Sequence, residues 1–149
     1  MRIISALLIL LLTSCSSLPS QRGNFAQAQQ LVDRTAAQYP DIVRLTIHAV
    51  PTGETESRII ACNIPEKVGK SSDPEDIEAM KTNQITVLLE RDNLNVTAPI
   101  VDRIGKPIAA TGITLAFTEG ANDQALIEKA AAIARQLSSA IQESKSPLW

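Results

Sequence analysis

The chain predicts an α+β fold in which an antiparallel sheet is covered by helices. Apolar and polar residues alternate along 41–50, and further strand-like runs follow later in the chain. Two long segments, one near each end, instead repeat apolar residues at helical spacing. Most of the strand-like runs are joined by tight turns, which builds neighbouring antiparallel strands and leaves the helices to cover the sheet.

Met1 to Thr13 has the layout of an export signal. Arg2 precedes an apolar run from Ile3 to Leu12, broken only by Ser5 and Ala6. A helix that crosses the ~30 Å hydrocarbon core needs about twice that length. Leu12-Thr13-Ser14-Cys15 resembles the bacterial lipobox, which implies cleavage before Cys15 and lipid on its sulfur. An ordinary signal peptide cut near Ser17 or Ser20 is the other reading. Two or three acyl chains on Cys15 imply lasting attachment to a bilayer, because each buried CH₂ contributes about 0.8 kcal/mol. Ser16, rather than Asp, follows the cysteine. By resemblance to the proteobacterial sorting rule this implies the outer membrane, facing the periplasm, in a cell with two membranes. The expected organisation is a signal at 1–14, a lipidated cysteine and tether at 15–24, one domain at 25–142 and a tail at 143–149. The tether is polar and Ser-rich, and nine flexible residues span on the order of 16 Å.

Phe25 to Gln38 lacks Gly and Pro and places Phe25, Ala28, Val32 and Ala36 on one stripe, so it predicts a helix that ends at Pro40. Asp41 to Val50 sets Val43, Leu45, Ile47 and Ala49 on one strand face, with Arg44, Thr46 and His48 on the other. Pro51-Thr52-Gly53 turns the chain, and Ser57 to Ile64 returns as a second strand. Asp73-Pro74-Glu75-Asp76 opens a short helix: Asp73 suits the N-cap, Pro74 the first helical position, and the acids the positive end of the helix dipole. Strands follow at Ile85 to Glu90, Leu94 to Val101 and Pro107 to Phe117. Asp123 to Gln142 is a helix, with Leu126, Ala130, Ile133, Leu137 and Ile141 on one face.

Without the leader, 13 basic and 16 acidic residues leave a net charge of −3, with no basic patch, so nucleic acid is not an expected partner. If Cys15 carries lipid, Cys62 has no disulfide partner. It lies in the apolar run Ile59-Ile60-Ala61-Cys62, where a buried, inert thiol is the expected state and a reactive one the alternative. The absence of Cys-x-x-Cys argues against thioredoxin-like chemistry. No cofactor is expected, and a single histidine offers too few zinc ligands.

Two stretches carry a family resemblance. Ile64-Pro65-Glu66-Lys67-Val68-Gly69-Lys70 runs into Asp73-Pro74-Glu75-Asp76. Thr97-Ala98-Pro99-Ile100-Val101-Asp102 turns through Gly105-Lys106-Pro107-Ile108 into Thr111-Gly112-Ile113. Together they resemble the extracytoplasmic, PAS-like sensor domains called single Cache domains, over about half the mature chain. The resemblance implies a five-stranded antiparallel sheet flanked by N- and C-terminal helices, with a short crossover helix. It also implies a small-molecule pocket between the sheet and the crossover. In the turn Gly105 suits a positive φ, and Gly112 suits a close approach of a helix to the sheet. Ala109-Ala110 stands where family members often have Ile-Gly.

His48 shares a face with Arg44, so it is a candidate contact for an anionic ligand; a position at the solvent edge is the alternative. Arg58, Asn63 and Tyr39 are further candidates beside the expected pocket. The acidic run Asp73, Glu75, Asp76 and Glu78 lacks the spacing of a calcium loop and is read as a helical first turn. No Gly-x-Ser-x-Gly and no second histidine support a hydrolase, so an enzyme is not expected. The function expected is a membrane-anchored, periplasmic, sensor-like lipoprotein. It would bind a small anionic metabolite, or present that state to a receptor or envelope protein. The alternative is a structural or protein-interaction lipoprotein whose pocket is filled by its own side chains.

Overall fold

A computed structural model describes residues 25–90, 92–117, 122–144 and 149. The leader, Cys15 and the tether lie outside the described residues. Helix α1 (Ala26–Gln38) leads into strands β1 (Ile42–Ala49) and β2 (Arg58–Cys62). A 3-10 turn (Pro65–Lys67) and helix α2 (Pro74–Thr82) form the crossover to β3 (Thr86–Glu90), β4 (Asn93–Val101) and β5 (Pro107–Ala116), and helix α3 (Asp123–Glu143) closes the fold. The sheet is five-stranded and antiparallel, in the order β2-β1-β5-β4-β3. The expected helices and strands are therefore present, and the expected α+β, PAS-like architecture is the one the chain adopts. The 3-10 turn had no counterpart in the sequence reading.

Alternation along the strands divides the residues between two different faces. One face carries Leu45, Ile47 and Ala49 of β1, Val96, Ala98 and Ile100 of β4, and Ile113 and Leu115 of β5, all buried. Helices α1 and α3 cover it with Ala28, Val32, Ile133 and Leu137. Small Ala side chains on both helices bring them close to the sheet, and the larger Leu and Ile fill the space between. Lys129 of α3 bonds both carboxylate oxygens of Asp41 at 2.6 and 2.7 Å, fixing the helix against the start of β1.

The other face is polar and is crossed by α2. Asp73 caps that helix, Pro74 occupies its first turn, and the Asp76 carboxylate accepts the Asp73 N–H at 3.0 Å. Asn83, at φ +60, ends it. Gly105 has φ +80 in the β4–β5 turn, where Asp102 Oδ1 accepts the N–H groups of Ile104 and Lys106.

The two edges of the sheet differ. The outer edge of β2 is covered: the Gln29 side chain bonds the Cys62 N–H and C=O, while Ile59 exchanges backbone bonds with Gly69 and Lys70. Cys62 itself is fully buried, and burial pushes its thiol pKa up. At the opposite edge, β3 presents Val87, Leu88 and Leu89 to solvent.

Gly112 is where the polar face is tightest. A Cβ there would stand 2.7 Å from Thr46 Oγ1, and Asp76 Oδ1 of α2 would be 3.9 Å away. The close approach expected at Gly112 thus involves a helix side chain, while the tight contact is with the neighbouring strand. Thr46 is β-branched and its hydroxyl accepts the Gly112 N–H at 3.1 Å, so it has little room to retreat. Gly112→Ala should cost about 1–3 kcal/mol in a denaturant titration. Adding Thr46→Ala should restore part of that loss, so that the two changes are less than additive.

Candidate functional site

A cavity of about 190 Å³ lies between the polar sheet face and the crossover. β1 contributes Arg44, Thr46 and His48 to its floor, β4 contributes Asn95 and Thr97, and β5 contributes Gly112. Lys67, Lys70 and Ser71 of the crossover, with Asp73, Glu75 and Asp76 at the start of α2, form the rest of its wall. The room corresponds to roughly half a dozen non-hydrogen atoms, taking about 30 Å³ for each water-sized volume.

His48 is 4% exposed and Asp76 3%, which places the histidine inside the fold and not at the solvent edge. Its Nδ1 lies 3.1 Å from Asp76 Oδ2 and 3.1 Å from Ser72 Oγ, and its Nε2 lies 2.8 Å from Thr46 Oγ1. Ser72 continues the chain to Ser57, with 2.7 Å between hydroxyl oxygens. The contact between Nδ1 and Oδ2 needs one proton between the two atoms, because an unprotonated nitrogen and a carboxylate oxygen are both acceptors.

Burial lowers the imidazole pKa to about 4, and the charge of Arg44 acts in the same direction. Burial raises the Asp76 carboxyl to about 6, helped by Asp73 and Glu75 and opposed by the Asp73 N–H and Arg44. On both groups burial is the largest cause of the shift, and it disfavours the charged form of each. At neutral pH the imidazole is neutral, the carboxylate is ionised, and Nδ1–H donates to it.

The structure brings together two of the five candidates, Arg44 and His48, and takes the other three elsewhere. Arg58 is paired with Glu54 and lies over the Phe25 ring, 5.7 Å from its centroid, beside a separate hollow. Asn63 is used as a strand partner, its Oδ1 accepting the Leu45 N–H at 2.7 Å. Tyr39 donates its hydroxyl to Gln136 Oε1 at 2.9 Å on the helix-covered side. Lys67, Lys70 and Asp76 also line the cavity, and nothing in their sequence context marks them as ligand contacts. For Asp76 the helical first turn was a sufficient local explanation, yet the carboxylate serves the capping box and His48 together.

Thr46, His48 and Asp76 stand in the order hydroxyl–imidazole–carboxylate, a sequence of groups that also serves nucleophilic catalysis. Here, however, Thr46 is 2% exposed and its hydroxyl is engaged by the Gly112 N–H at 3.1 Å and lies 3.2 Å from the Gly112 carbonyl. Among the described residues no group of three or more His, Cys, Asp or Glu side chains is arranged to hold a metal ion.

No protein-family model and no curated protein matches the sequence. Solved structures do match. The GAF domain region of a Geobacter sulfurreducens PCA protein aligns over 80% of this chain and 93% of its own, at 12% identity and a TM-score of 0.58. The A. aeolicus nlh2 GAF domain in an inactive state aligns over 79% and 82%, at 14% identity and a TM-score of 0.57. Residues 122 to 287 of a methyl-accepting chemotaxis protein align over 80% and 89%, at 16% identity and a TM-score of 0.57. The chain is thus similar in fold to GAF and PAS-like domains.

The two shifted pKa values act on stability with opposite signs. Asp76 contributes stability that is complete below its unfolded value of 3.8 and lost as pH rises through about 6. His48 contributes stability that is complete above 6.5 and lost as pH falls towards about 4. Between these limits the unfolded chain holds its proton on His48 and the folded chain on Asp76, so the dependence nearly cancels. Single substitutions should unmask it, by an amount on the order of 2 kcal/mol in urea titrations. Asp76→Asn should become less stable as pH falls from 6.5 to 4, and His48→Gln less stable as pH rises from 4 to 6. A flat profile in both variants would show that neither group titrates as described.

Proposed function

We propose that this domain is a sensor-like binding module for a small carboxylate, held in the cavity beneath the crossover. One observation carries the reading. Arg44, Lys67 and Lys70 converge on the cavity, and none forms an ion pair or side-chain hydrogen bond with a described residue. Asp76, by contrast, is already engaged by His48 and the Asp73 N–H. The cavity therefore offers unclaimed cationic donors to an incoming anion. The fold likeness to a chemotaxis-protein region and to GAF domains supports a sensing role. The stretches around Pro65 and Pro99 support the narrower single-Cache reading. Binding is favoured over catalysis because the Thr46 hydroxyl is buried and engaged by Gly112.

The leader and Leu12-Thr13-Ser14-Cys15 support a lipid-anchored module facing the periplasm, at the outer membrane by the residue after the cysteine. Such a module reports through another envelope protein. A second reading, an interaction lipoprotein without a ligand, is favoured by β3, where Leu89 is 59% exposed at the edge of the sheet.

Native mass spectrometry of the protein from its host, followed by thermal-shift measurements with acetate, pyruvate, lactate and malonate, separates the two. The binding reading expects a co-purifying anion or stabilisation by several degrees, and Arg44→Ala or Lys70→Ala should remove most of the shift. Neither a bound species nor any stabilisation leaves the interaction reading. Anchoring is tested independently, since Cys15→Ser should move the protein from the membrane fraction to the soluble periplasmic fraction.

A further inference from the structure

The hydrogen bonds around His48 have a property that a purely structural network does not need. With the pair unprotonated, Nδ1–H donates to Asp76 Oδ2, Nε2 accepts the Thr46 hydroxyl hydrogen at 2.8 Å, and Thr46 Oγ1 accepts the Gly112 N–H. Add one proton and Nε2–H donates to Thr46 Oγ1 instead. The hydroxyl hydrogen then turns to the Gly112 carbonyl oxygen, 3.2 Å away, while Oγ1 keeps two acceptor positions for Gly112 N–H and Nε2–H. The hydrogens on His48, on the Thr46 hydroxyl and on the Gly112 nitrogen each have a partner in both states, with every heavy atom in place. One proton stays between Nδ1 and Oδ2 throughout, and the added proton enters at Nε2.

We propose that the cavity takes up its small carboxylate together with one proton from solvent, the proton lodging on the His48–Asp76 pair. This rests on the carboxylate reading above. Arg44 from β1 and Lys67 and Lys70 from the crossover face Asp73, Glu75 and Asp76 of α2, so three cations balance three ionised carboxylates before a ligand enters. Asn95, Thr97 and Gly112, from β4 and β5, add no charge. Cys62, from β2, has its thiol held neutral by burial. A monoanion would leave the cavity with an excess negative charge beside the His48–Asp76 pair, which is buried and therefore weakly screened. One proton on the pair restores neutrality, and the direction agrees with an Asp76 carboxyl already raised towards neutral pH.

The test uses the full-length protein in detergent, with pyruvate as the probe and lactate and malonate beside it. Calorimetry at pH 7 in buffers of different ionisation enthalpy counts the protons taken up, and titrations between pH 7.5 and 6.0 give the slope. The expected result is an uptake approaching one proton per ligand. Affinity should then rise as pH falls, by up to about tenfold per pH unit. Asp76→Asn should lose both the uptake and the slope and bind more tightly at pH 7.5, having one negative charge fewer in the cavity. His48→Gln keeps the buried Asp76 carboxyl and should therefore keep a slope. Asp76→Asn, checked for the wild-type far-UV spectrum, is thus the deciding variant, and the proton count on the unmodified protein stands beside it. Binding with no uptake and a flat profile overturns the proton linkage and leaves the carboxylate site standing. A slope that survives in folded Asp76→Asn places the proton elsewhere and overturns it as well. If none of the three carboxylates binds, both the linkage and the carboxylate reading fall.

Discussion

The contact between His48 and Asp76 ties a helix of the crossover to the middle of the sheet, and the polar half of the molecule is arranged around it. Asp76 reaches the histidine because α2 begins where it does, with Asp73 as its cap and Pro74 in its first turn. The histidine is held from its other side by Thr46, and Thr46 has its position only because β5 carries no side chain at residue 112. From the same imidazole, Ser72 and Ser57 tie the stretch just before α2 to the start of β2. Remove any one of these and the wall of the cavity loses a fixed point.

The opposite face is held in a simpler way, by aliphatic side chains of α1 and α3 packed on Leu45, Ile47, Val96 and Ile113. Such packing is tolerant, since apolar residues of similar volume can replace one another at modest cost. The polar face has no such latitude. No buried side-chain nitrogen or oxygen among the described residues lacks a partner, so each hydroxyl and ring nitrogen there is committed. Apolar packing supplies most of the stability, and the costlier polar network is concentrated where the cavity is.

Periodicity made the elements readable. Val43, Leu45 and Ile47 against Arg44, Thr46 and His48 mark β1 and both its faces, and Asp73-Pro74 marks the start of α2 almost to the residue. What stayed hidden was parity across strands. Between Ile47 and His48 the pairing with β2 shifts by one, so that Arg58 pairs with Ala49 and Ile59 with His48. Without that shift Arg58 would pair with Val50 and share the face of His48 and Arg44. The bulge turns it to the side of Phe25 and brings Ile59 to the cavity instead. Nothing in the composition of β2 announces the extra residue. Asp76 was hidden differently, since a cap-region acid is sufficiently explained by its own helix, and its contact with a residue 28 positions earlier exists only in the folded sheet.

The two edges of the sheet offer another chain very different surfaces. At β2 the backbone groups are taken up by Gln29 and the crossover, leaving little for another chain to pair with. At β3 the apolar residues Val87, Leu88 and Leu89 sit in an outermost strand that carries neither proline nor lysine, two residues that often guard such edges. That edge is one strand from the cavity: β4 pairs with β3 along its first half, and in the same segment Asn95 and Thr97 line the cavity. Asn95 pairs with Leu88 and Thr97 with Thr86, so cavity-lining and edge residues are opposite one another in the same register. The sensing and interaction readings therefore differ in which side of β4 is used, and the fold has room for both.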